Sequence, residues 1–134
     1  MTKAGWFKLI SILVLIGILT AICVIEDRLV ITSLDRVNRY CYEIESAIEK
    51  NGGIVNGEVA SLVDNLEYTW KQDESDLCFM VNHKSIENLA VEIVRLKTYI
   101  DEEEPIEFYV SLDIIKNYVE QFQHFMGASF HNIL

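Results

Sequence analysis

From Leu9 to Ile25 the chain reads LISILVLIGILTAICVI, 17 positions without a charged side chain. With Trp6, Phe7 and the aliphatic stem of Lys8 the run reaches about 20 residues, enough for a helix rising 1.5 Å per residue to cross a hydrocarbon core of about 30 Å. Trp6 is expected at the interface, with Lys8 extending its ammonium toward the head groups. The lipid bilayer is thus the first expected partner, met through residues 6–25.

Two fates fit a basic start followed by an apolar run: a cleaved signal peptide or an uncleaved signal anchor. The stretch Thr20, Ala21, Ile22, Cys23 lacks the pair of small residues that a signal peptidase requires, and Ile22 stands where a lipoprotein signal places a small residue before the cysteine. The anchor is therefore preferred. It divides the chain into an anchor over 1–27 and a helical domain over 28–134. Lys3 and Lys8 precede the span with no acid among them, so the positive-inside rule places the N-terminus in the cytoplasm and the domain outside the cell membrane. Arg28, Arg36 and Arg39 after the span weaken that bias without reversing it.

After the span the apolar positions continue as Val30, Leu34, Val37, Cys41, Ile44 and Ile48, the alternating four and three spacing of a helix packed along its length. Nothing interrupts the helix between the span and this seam, so one helix is expected from Trp6 to about Lys50, stopped by Asn51, Gly52 and Gly53. Asn56 is a helix cap followed by Glu58 in a first turn, ahead of a stripe at Val59, Leu62, Val63, Leu66 and Trp70. The polar interval KQDESD is expected to separate this helix from a third, running from about Leu77 to Ile100 with Phe79, Asn82, Ile86, Leu89, Ile93 and Leu96 on its seam. Asp101 to Glu104 and Pro105 read as a tight connection. A fourth helix then carries Phe108, Leu112, Ile115, Val119, Phe122 and Met126, widened by Tyr109, Tyr118 and Phe125. An apolar face so broad is expected to be covered by the chain's own bundle or by a partner.

The predicted fold is all-α: an N-terminal transmembrane helix continuing into an extracytoplasmic antiparallel bundle of about four helices. Its charge is lopsided. Residues 26–134 hold 21 acidic side chains against 9 basic ones, a balance of −12. A surface that negative repels phosphate backbones, so no nucleic acid is expected as a partner.

Chemistry is scarce. The chain has no glycine-rich phosphate loop, nucleophile elbow or paired-cysteine zinc pattern. Cys23 lies in the span, and Cys41 and Cys78 both stand in apolar helical settings that favour buried thiols, with a disulfide between them left open. His83 has Glu87 four residues on, and His124 has Glu120 four residues back, so each pair shares a helix face. His124 turns away from the apolar seam, however, and the Glu-x-x-His motif of di-iron bundles is missing. No metal, cofactor or catalytic residue is therefore assigned. His83 is read as a boundary packing residue, with a protonation switch as the functional alternative.

The segments Trp70-Lys71, LCFMVNHKSIENL, RLKTYI and the terminal NIL, together with the single N-terminal span, resemble a family of small membrane proteins from clostridia and related Gram-positive bacteria, domain of unknown function 4363. The likeness covers nearly the whole chain and is most specific around Asn82 and His83. The aromatic fourth helix and the more acidic turn before it depart from the family pattern. The resemblance implies membrane topology and an accessory role beside larger membrane proteins, and it supplies no catalytic residue.

The expected function is that of a non-enzymatic, membrane-anchored helical protein that binds another membrane protein or its own copy. The alternative is an extracytoplasmic ligand, ion or pH sensor. Interaction or structural roles are assigned to Trp70, Asn82, His83, Glu87, Phe108, Tyr109, Tyr118, Phe122 and Phe125.

Overall fold

The computed structural model describes the backbone of residues 3–80 and 83–131, and side chains over 4–78 and 84–126. Among these residues the chain forms four helices and no strand: α1 (Lys3–Asn51), α2 (Gly57–Met80), α3 (His83–Asp101) and α4 (Pro105–His131). Its 49 residues make α1 a rod of about 73 Å. The N-terminal part of this helix is long and apolar enough to cross a membrane, and none of its apolar window is buried within the fold. Ser11 and Thr20 donate their hydroxyls to the carbonyls of Phe7 and Ile16, four residues back, so the span exposes no unsatisfied hydroxyl.

Burial begins at Val30, and from there the expected seam of α1 is buried at every position through Ile48. The helix stops at Gly52, whose φ of 76° suits a residue without a side chain, and the N–H groups of Gly52 and Gly53 both reach the Ile48 carbonyl. Asn56 caps α2: its Oδ1 accepts the Val59 N–H at 2.8 Å.

Each helix packs on its neighbours in the chain, and α4 returns against α1, while the diagonal pairs stay apart. The result is a square antiparallel bundle. Cross-helix pairs set its register. Arg36 meets Asp73 and Lys50 meets Glu58 between α1 and α2. Lys97 of α3 meets Asp64 and Glu67 of α2. Lys116 of α4 meets Glu45 of α1, and Gln123 meets Asp35. Both the α1–α2 and α3–α4 turns therefore lie at the end of the bundle farthest from the apolar span.

One expected boundary moves. The interval KQDESD does not break the chain, because α2 continues through it to Met80. Polarity alone does not end a helix, and this interval has neither glycine nor proline. Lys71 pairs with Glu67 one turn back, Asp73 is held by Arg36, and Leu77 resumes the α2 stripe at 1% exposure. The segment from Leu77 to Met80 thus belongs to α2, and α3 begins at His83.

Candidate functional site

Chemistry-bearing side chains in the bundle are mostly tied into its seams. Cys41 is fully buried in α1, and loss of water around it, reinforced by the nearby Glu45 carboxylate, pushes its thiol up to about 12. A thiol held protonated in this way is a poor nucleophile. Cys41 and Cys78 are both free. The Tyr40–Thr69 contact places Cys41 level with Thr69, and Cys78 lies nine residues farther along α2, about 13 Å lower, beyond the reach of a disulfide.

Lys116 donates to Glu45 at 2.6 Å and its ammonium lies 5.1 Å from the centre of the Tyr42 ring. The Glu45 hydrogen bond holds the Lys116 ammonium above its ordinary range. Glu67 is held below the ordinary carboxylate range chiefly by its hydrogen bond from Lys71, with Lys97 adding to the effect. Lys116 with Glu45, and Lys97 with Glu67, fasten neighbouring helices together.

The α3/α4 seam differs from the other three. Ion pairs lace α1 to α2, α2 to α3 and α1 to α4, whereas the described polar contact between α3 and α4 is Ser111 with Glu92, buried beneath the surface. Arg95 covers the pair from the outside, donating to Glu92 Oε1 at 2.6 Å. Above this floor runs a groove made of three adjoining concavities. The first, of ≈ 200 Å³, is bounded by Arg95, Tyr99, Ile106, Glu107, Val110 and Ile114. The second, lined by α4 residues alone, shares Ile114 and continues past Asn117 to Tyr118 and Gln121. The third shares Tyr118 and Gln121 and ends at Ser85, Phe122 and Phe125.

At 100° per residue, Ile106, Val110, Ile114, Asn117, Tyr118, Gln121 and Phe125 occupy one strip of α4 about 120° wide. Glu107, at the same angle as Phe125, lies within this strip and lines the first concavity, and His124 lies at its edge; from Val110 onward the strip holds no acid, lysine or arginine. Several of its apolar members face solvent: Ile106 is 74% exposed, Val110 53% and Phe125 72%. A larger concavity of ≈ 500 Å³ lies at the foot of the bundle, but every described residue lining it belongs to α1.

The structure sorts the sequence candidates. Phe108 and Trp70 are core residues, Phe108 without exposure and Trp70 with its Nε1 unpartnered among buried neighbours. Phe108 meets Tyr109 edge to face, but Tyr109 itself is largely exposed on the side away from the groove. Tyr118 and Phe122 are partly buried against the core and form part of the groove. Phe125 departs from the expected seam, because it lies at the edge of the outward strip and not with Phe122 and Met126. Glu87 is exposed on α3, as is His124 on α4. Asn82 lies outside the described residues, as does the side chain of His83. The residues that sequence reasoning missed are Ile106, Val110 and Ile114. Their four-residue spacing was present in the sequence, but the stronger seam one face over drew the reading.

No group of three or more histidine, cysteine or acidic side chains suited to a metal occurs among the described residues. What the fold defines is a four-helix bundle carried on a long helix whose N-terminal part is apolar enough to cross a membrane. A family model, Domain of unknown function (DUF4363), matches residues 26–133, and the chain belongs to that family. The match begins where the apolar run ends. Nothing among the curated proteins or the solved structures matches the chain.

Proposed function

We propose that this protein is a non-enzymatic, single-pass membrane protein whose bundle faces outward and docks onto another protein or a second copy of itself. α1 serves as an uncleaved signal anchor, with Lys3 and Lys8 on the cytoplasmic side. The observation that carries the docking role is the largely apolar, solvent-facing strip of α4, with Glu107 near its start, beside the α3/α4 groove. An ordinary soluble surface intersperses charges, and residues 26–134 as a whole are rich in them.

Solubilising native membranes in a mild detergent and isolating the full chain tests the role. A stoichiometric partner or a homo-oligomer is expected. A lone monomer in every detergent contradicts it.

A further inference from the structure

Resting on the anchored reading of α1, and holding for either orientation, we infer that the foot of the bundle, where α2 ends and α4 makes its last turn, lies in the lipid head-group layer of the membrane that α1 crosses.

Height places it there. Lys116 pairs with Glu45 and Gln123 with Asp35, so α4 descends as α1 rises. Eight residues past Gln123, His131 at the end of α4 is level with Asp27, about 3 Å along the helix axis from Ile25 at the end of the apolar run. The Arg36–Asp73 pair sets α2 in the same way: Met80 at its end is level with Leu29, about 6 Å from Ile25. A bilayer of about 40 to 45 Å around a hydrocarbon core of about 30 Å leaves a head-group layer of about 5 to 7 Å on each side. The ends of both helices fall within it or at its edge.

Composition changes at that height. Glu120 is the last acid, lysine or arginine of α4, and the helix runs on for about three turns to His131 with none on any side. Residues 77–80 at the end of α2 likewise hold none. The charges nearest the span are Glu26, Asp27 and Arg28 on α1 and Lys84 near the start of α3, while Asp76 and Asp35 stand about 12 and 15 Å from Ile25. Water keeps the outer face of a bundle helix rich in charge, whereas a charge held against hydrocarbon is costly. Two stretches far apart in sequence therefore lose their charges where the fold brings them down beside the span. Phe79 and Phe130 occupy these stretches, a residue type that membrane-surface helices place at the acyl boundary. Lipid already surrounds α1 at this level, so the occupant is continuous with the span.

The test reads depth. The full chain with Cys23→Ser and Cys78→Ser, its remaining Cys41 buried, receives one cysteine at Ser129, Gln121 or Ser61. Each variant is labelled with an environment-sensitive fluorophore and reconstituted in phosphatidylcholine vesicles, and circular dichroism verifies the helical fold. A nitroxide on the lipid head group should remove most of the emission of Ser129→Cys, little of that of Gln121→Cys and none of that of Ser61→Cys, with dissolved iodide giving the reverse order. Ser129→Cys as open to iodide as Ser61→Cys overturns the head-group contact. Shielding of Ser129→Cys from both quenchers means that protein covers the foot, and overturns it as well. A label on the native Cys23 tests the span separately: quenching by a nitroxide within the acyl chains leaves the anchor standing, and its absence overturns anchor and foot contact together.

Discussion

Ser111 Oγ stands 3.0 Å from the carbonyl oxygen of Glu92 and 3.1 Å from its Oε2, sharing one hydroxyl hydrogen between them on the floor of the α3/α4 groove. Glu92 is 8% exposed, so its carboxylate depends on Ser111 and Arg95 for what water no longer supplies. Ser111→Ala should cost about 1 kcal/mol, and Glu92→Ala about 1 to 3 kcal/mol because it strips both partners. The double variant should cost less than the sum of the two. Urea unfolding in mild detergent measures each term, and strict additivity would mean that the two side chains do not interact.

Trp70 offers a contrast between volume and polarity. Its ring is 2% exposed, and its Nε1 is buried without a hydrogen-bond acceptor. Trp70→Phe removes an unsatisfied donor along with part of the ring, so the two effects oppose, and the net change should stay within about 1 kcal/mol. Trp70→Ala empties the site and should cost about 3 to 5 kcal/mol. Comparable losses in both variants would show that the indole nitrogen has a partner in solution.

Glu103 holds a φ of 57°, the left-handed conformation usually given to glycine, at the turn after α3. The Glu104 N–H reaches back to the Tyr99 carbonyl at 2.9 Å, so this turn closes the helix in the way Gly52 closes α1. Glu103→Gly should therefore stabilise the protein by about 0.5 to 1 kcal/mol, a rise of a few degrees in Tm. The gain comes from backbone strain, so Glu103→Ala should not reproduce it.

Two buried or bridged groups set an alkaline limit. Cys41 has its folded value raised from 9.0 to about 12, so the thiol stabilises the fold fully below pH 9 and that contribution drains away as the unfolded chain ionises above it. The loss should reach about 2 kcal/mol near pH 10.5. Lys116, raised by Glu45, acts in the same direction: its contribution is complete below the ordinary lysine value and is lost as pH climbs through the raised one. Cys41→Ala should start less stable at neutral pH and show a flatter alkaline decline. At the acid end, Glu67 is depressed by Lys71 and Lys97, so its contribution is present above the ordinary glutamate value and disappears as pH falls below it. Glu67→Gln should flatten that limb.

The helices and their inner faces were legible because the apolar repeat, the Asn56 cap and the paired glycines at 52 and 53 are local signals. Seam residues from Val30 to Ile48 and from Phe108 to Val119 are all core. The α2–α3 boundary was not legible, since what carries α2 through KQDESD is the long-range pairing of Asp73 with Arg36, which no local pattern reveals. Glu103 hid the second helix stop because its conformation follows from the turn and not from its residue type. The groove was hardest to see. Phe125 looked like core by composition, and only the packing of α4 against α1 and α3 turns it outward with Ile106 and Val110.

A single helix carrying both the apolar span and the first seam of the bundle makes membrane orientation decisive for what the α4 strip can meet. Fusions placed after Leu134 read that orientation: one to a reporter that fluoresces only in the cytoplasm, the other to a phosphatase active only outside it. An outward bundle gives a dark fluorescent fusion and an active phosphatase. A bright fluorescent fusion with an inactive phosphatase would place the bundle in the cytoplasm and contradict the anchored, outward-facing arrangement.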